Sequence, residues 1–200
     1  MLSFSLGLLL SLQGLWLVPD RLFHHSPSYG IDLAKYEHPP HLQVALSYVG
    51  VTETGGRNTG PEIDRFLSSV GLDPGYSWCA AFVSYSLQVA EPMPAFPTTR
   101  SALARHFRVS GHAVDIRRAV ASNMLYEPGT IIGWRRGTSI YGHLGFIIYG
   151  QGAHMRTVEG NTSSGAAGSQ FDGGGVHLRQ RYYVASNYLR IDWILPVHYD

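Results

Sequence analysis

The chain has 200 residues, 44% of them hydrophobic, which suits one domain with a sizeable core. Only 14% are charged, the formal net charge is +1 and no Lys/Arg run occurs, so the electrostatic footprint of a nucleic-acid binder is absent. A single cysteine excludes an internal disulfide and any C-x2-C zinc pattern. There is no H-E-x-x-H, and no metal or cofactor is expected.

The first 18 residues, MLSFSLGLLLSLQGLWLV, are apolar and uncharged. As a helix they would measure roughly 27 Å, close to the thickness of a bilayer core. They lack the basic start and the small-x-small cleavage site of an ordinary signal peptide. They also lack the polar face that a surface helix needs. The expectation is an export signal or a membrane anchor, with membrane association through residues 1–18. Residues 19–38 are rich in Pro, His and Ser and read as a tether, which leaves residues 39–200 as the folded domain.

Leu42, Ala45, Leu46 and Val49 recur at helical spacing after Pro39-Pro40 and before Gly50. A polar loop follows, then Pro61 opens a second helix with Ile63, Phe66, Leu67 and Val70 on one face and Gly71 as its stop. Asp73-Pro74-Gly75 is a turn. Ser77 is placed to cap a third helix, which puts Cys79 at its second position. No charge occurs from Pro74 to Ala90, so this helix is expected at the centre of the core. A further helix is expected near Ser101–Phe107.

After Pro128-Gly129 the period changes. Strands are predicted over Thr130–Arg135, His143–Tyr149, Met155–Glu159, Val176–Tyr183 and Ile191–Val197, with a hairpin turn at Gly150-Gln151-Gly152. Helices followed by consecutive strands predict an α+β domain with a mostly antiparallel sheet.

A thiol at a helix start lies beside unpaired N–H groups and the positive end of the helix dipole. Both favour the thiolate, which is the nucleophilic form. Such a nucleophile needs a base, and the base needs an orienting group. His143 sits in Gly142-His-Leu-Gly145 at a strand start, where small neighbours are expected to leave room for a substrate. The next strand ends in Glu159-Gly-Asn161. Period two puts Glu159 and Asn161 on one face, beside His143, and either side chain is able to fix the imidazole. His106, His112 and His154 lack this setting, and His177 is the rival base.

Trp78-Cys-Ala-Ala-Phe-Val-Ser84, Gly142-His-Leu-Gly-Phe146 and Glu159-Gly-Asn161, with Asn58-Thr-Gly-Pro-Glu-Ile-Asp64 and Gly174-Gly-Val176, resemble the CHAP amidases of the NlpC/P60-like cysteine hydrolases. The resemblance runs over about residues 40–197. It implies a papain-like α+β fold and cleavage of amide bonds in bacterial peptidoglycan peptides. It also implies that Cys79 is the nucleophile, His143 the base, Glu159 the orienting acid and Asn161 a supporting group. Trp78, Tyr76 and Asn58 are the candidate substrate contacts. A monomer in the bacterial cell envelope is expected, or one held in the cytoplasm until release if the protein is phage-like. The rival readings are a wall-binding domain that does not cut, and an acyltransferase on the same fold.

Overall fold

A computed structural model describes residues 38–109, 111–164, 173–186 and 189–200. The leader and all but the last residue of the tether lie outside the described residues. Among the described residues no helix is long and apolar enough to cross a membrane.

Three helices come first: α1 (Pro40–Ser47), α2 (Pro61–Ser68) and α3 (Cys79–Gln88). Proline opens α1 and α2, where its fixed φ suits a helix and its missing N–H has no intrahelical partner to lose. At the start of α2, Asp64 takes the place of a cap. Its Oδ1 accepts from the Gly60 N–H at 3.2 Å and from Thr59 Oγ1 at 3.0 Å. The expected helix at 101–107 is only a short 3-10 turn, Ala104–Phe107.

Strand β1 (Val114–Asp115) and helix α4 (Ile116–Ala121) were not foreseen. Two and six residues are too few to display a period. The Asp115 side chain caps α4 by accepting from the Arg117 N–H at 2.8 Å.

The strands follow as β2 (Ile131–Arg136), β3 (Gly142–Gln151), β4 (His154–Thr162), β5 (Gly175–Tyr182) and β6 (Leu189–Leu195). They form a six-stranded sheet in the order β1-β6-β2-β3-β4-β5, antiparallel at every pairing. The β3–β4 hairpin turns one step later than expected: Gln151 pairs with His154, and Gly152, at φ +55°, takes the left-handed turn position.

Helix α3 is central, with Ala80, Ala81, Phe82, Val83 and Leu87 fully buried. It comes close to β4 because position 160 is glycine. A Cβ there would lie 2.7 Å from Phe82 Cγ and 2.8 Å from Trp78 Cζ3. A second apolar cluster joins Ile116 and Ala119 of α4 to Ile132, Trp134, Ile147 and Ile191 of the sheet. Strand β3 is thus covered on both faces, which explains its long apolar run.

The α1–α2 loop is tied into the sheet edge. Thr52 bridges to Gly175, the Glu53 N–H donates to the Gly174 carbonyl at 2.7 Å, and the Val176 N–H donates to the Val51 carbonyl at 2.9 Å. The Gly174-Gly-Val176 stretch is therefore a docking strip for that loop.

Candidate active site

Cys79 is the first helical residue of α3, and Trp78, not Ser77, occupies the cap position. Ser77 is exposed and no side chain caps this end, so the N-terminal N–H groups face the thiol region. Cys79 is buried, with 8% of its surface exposed. His143 and the backbone N–H groups of Leu144 and Ala80 act on it electrostatically and favour its charged form.

His143 lies on β3, opposite Trp134 of β2. Its Nε2 donates to Glu159 Oε2 at 2.9 Å, which leaves Nδ1 as the nitrogen for the thiol. Trp134 stands beside the imidazole, with ring centroids 5.1 Å apart. His177, the rival base, pairs with Glu159 across the β4–β5 ladder and is half-buried.

Glu159 has no exposed surface, yet every lone-pair position of its carboxylate is used. Oε1 accepts from Thr157 Oγ1 at 2.5 Å and from Arg181 Nε at 2.7 Å. Oε2 accepts from His143 and from Arg181 Nη2. Arg181 also lies over the Trp134 ring, its Cζ 5.4 Å from the centroid. His143, Glu159, Arg181 and Trp134 thus form a closed ring of contacts.

The electrostatics follow from this ring. Burial pushes the Cys79 thiol up, but the hydrogen bond and charge of His143 and the two backbone N–H groups outweigh it and hold the thiol below its ordinary value. Burial pulls His143 down, but its bonds to Cys79 and Glu159 raise it to about 9. Burial likewise opposes the Glu159 charge. Arg181 first, and His143 second, hold the carboxyl well below the usual carboxylate range. Around the imidazolium the thiol is shifted towards its charged form and Glu159 is held as a carboxylate beside Arg181.

The other residues singled out from sequence fare differently. Asn161 is buried at φ +53°, and the β4–β5 register shifts between Glu159 and Thr162. A bulge there breaks the two-residue period, so the expected common face of Glu159 and Asn161 does not form. Trp78 has 0% exposure, packs near Phe66 and donates its ring N–H to Glu53 Oε1 at 3.0 Å, so it offers a substrate no surface. Asn58, buried at φ +55°, donates from Nδ2 to the Gly75 carbonyl at 3.2 Å and holds the loop before Cys79. Tyr76, at 57% exposure, is the one of these three that is open to solvent.

The glycines around His143 make room for protein, not for substrate. A Cβ at Gly145 would sit 2.6 Å from Glu159 Cγ. Arg181 was missed altogether. Its signal is the row His177, Arg179, Arg181 on alternate positions of β5, beside a strand carrying one carboxylate. Reading that signal needs the β4–β5 register.

A cysteine at the start of a buried helix beside a sheet histidine, on helices followed by an antiparallel sheet, defines a papain-like α+β fold. A family model described as the CHAP domain matches residues 71–161, from the turn before Cys79 to Asn161. That segment is similar to the CHAP domain. No curated protein and no solved structure matches the chain.

Among the described residues no group of three or more His, Cys, Asp and Glu side chains is placed to hold a metal ion.

Proposed function

We propose that the chain is a cysteine-dependent hydrolase that cleaves amide bonds in bacterial peptidoglycan peptides. The observation that carries the proposal is the buried His143–Glu159 pair, which favours the charged form of Cys79 at the start of α3. The CHAP match supports peptidoglycan as the substrate class.

Cys79 Sγ attacks the scissile carbonyl carbon and forms the C–S bond while the carbonyl π electrons move to oxygen. The oxyanion lies at the helix start, where the first N–H groups have no intrahelical partner and face the developing charge. His143 then gives its proton to the departing nitrogen, the C–N bond breaks and a thioester remains. The neutral imidazole takes a proton from water, the hydroxide attacks the thioester, and the thiolate leaves with the acid product released. Glu159 keeps Nε2–H donated to it throughout, so Nδ1 stays aimed at the reacting atoms and the imidazolium is stabilised when it forms. Asn161 supports this end of the site from its bulge, and exposed Tyr76 offers a wall for the peptide.

The apolar stretch 1–18 supports a place in the cell envelope, as an export signal or an anchor. The test is mass analysis of purified peptidoglycan after incubation with the parent chain and with Cys79→Ala. New fragments carrying a free amine and a free carboxyl, made by the parent alone, are expected, and their masses tell the sugar–peptide amide from a bond within the peptide. Intact peptidoglycan in both samples overturns the proposal.

A further inference from the structure

Arg181 lies beyond the segment that matches the CHAP domain. Among the described residues it is the one arginine that is buried. It reaches Glu159 from β5 with two prongs, Nε to Oε1 and Nη2 to Oε2, and its flat face is braced on Trp134, which itself stands against His143. We propose that Arg181 is a positioning residue that acts through Glu159: its fork fixes both carboxylate oxygens and cancels their charge, so that the buried Glu159 stays ionised and aimed at His143. This rests on the reading of Cys79 as a nucleophile.

The physical reason is charge balance. The ionised forms of Cys79, His143, Glu159 and Arg181 sum to zero. Without Arg181 the buried site carries one excess negative charge, which is costly away from water. A proton relieves it, either on the thiolate directly or on Glu159, which then ceases to be an anionic partner for the imidazolium. Both routes thin the population of reactive thiolate at mildly acid pH. The fork matters as well as the charge, because a planar guanidinium holds two oxygens at once whereas an ammonium is a point charge.

The surrounding charges do not supply a substitute. On β5, His177 faces Glu159 across the ladder, and burial and Arg179 keep it on the neutral side. Arg179 feels the charges of Glu159 and Arg181, while its guanidinium donates to the Ser163 carbonyl. Arg190 of β6 lines the groove beside Arg181. Helix α3 contributes no charged side chain, and Glu53 is held by the Trp78 N–H.

The test is the second-order rate of iodoacetamide alkylation of Cys79 in the full chain, followed against pH. It is measured for the parent, Arg181→Met, Glu159→Gln and the double variant. At pH 6, Arg181→Met is expected to slow alkylation at least about tenfold and to move the acid limb up by at least one pH unit. In the Glu159→Gln background the same change should alter the rate less than about twofold, because the residue through which Arg181 acts is gone. An equal loss in both backgrounds, or an unmoved acid limb, overturns the proposal. Where Arg181→Met does not fold, Arg181→Lys takes its place in the cycle. It should keep the acid limb at the parent's pH and still lose rate severalfold, and a lysine variant as fast as the parent overturns the fork. Alkylation uses no wall substrate. A chain that shows this pattern and leaves peptidoglycan intact keeps this inference and loses the proposed substrate. A parent thiol that titrates at its ordinary value overturns both.

Discussion

Glu159 crosses directly over the Cα of Gly145: a Cβ on residue 145 would lie 2.6 Å from Glu159 Cγ and 2.8 Å from the Val158 carbonyl oxygen. The second of these is backbone and cannot swing away. The absence of a side chain at Gly145 is what lets the carboxylate reach His143, two residues earlier on the same face. Gly145→Ala should therefore cost about 1–3 kcal/mol from overpacking and displace Glu159 from the imidazole. Urea unfolding should show the loss of stability, and turnover should drop at least about tenfold. A variant as stable and as active as the parent would show that the strands part easily here.

Cys79→Ala should abolish turnover and all iodoacetamide labelling while the far-UV circular dichroism stays that of the parent. The thiol is the chain's only one and the change removes a single heavy atom. In the parent, labelling at neutral pH should be faster than that of a free-thiol peptide, because the site favours the thiolate. Residual turnover in the alanine variant would remove Cys79 from the chemistry.

Glu159→Gln and Asn161→Ala should separate in both rate and stability. The first strands a buried Arg181, at a cost of about 3–5 kcal/mol, and takes the negative partner from His143, so turnover should fall at least about tenfold. The second loses polar contacts and puts alanine at φ +53°, together about 1–2 kcal/mol, with a smaller effect on rate. Unfolding curves and steady-state rates decide it. If Asn161→Ala is the crippled variant, the amide orients the histidine.

Stability should fall on acidification below about pH 4.5, and the Cys79 and His143 contributions should oppose each other between about pH 6.5 and 9. The folded His143 is raised from 6.5 to about 9, so its contribution is complete below pH 6.5 and fades as pH rises through about 9. The folded Cys79 is lowered from 9.0, so its contribution is complete above pH 9 and fades as pH falls. Between 6.5 and 9 the two contributions therefore change in opposite directions. Glu159 is lowered from 4.5, and its contribution, present above that value, is lost as pH falls below it. Urea unfolding at half-unit steps checks this. A slope near 1.4 kcal/mol per pH unit between pH 6.5 and 9 would mean that one partner titrates alone.

A chain beginning at His38 should fold and keep full activity, because residues 37–200 form one compact unit that contains the whole site. Circular dichroism and the peptidoglycan assay measure this. Failure to fold would make part of residues 1–37 a structural element of the domain.

What the sequence by itself determined was local. Pro61, the Asp73-Pro74-Gly75 turn and the uncharged run after it located α2 and α3 and put Cys79 at a helix start, because caps, turns and periods act over a few residues. Alternation located five of the strands and placed His143 at the opening of one and Glu159 at the end of the next. The α+β order followed. What only the tertiary structure decided depends on register between strands far apart in the chain. The bulge between Glu159 and Thr162 turns Asn161 out of the two-residue period. The same pairing of β4 with β5 brings the Arg181 side chain onto a carboxylate 22 residues earlier. Whether Trp78 faced a substrate or the core, and whether Gly145 left space for a ligand or for Glu159, was settled by how closely α3 and β4 approach. That closeness is a matter of packing among many residues, and no single stretch of the chain encodes it.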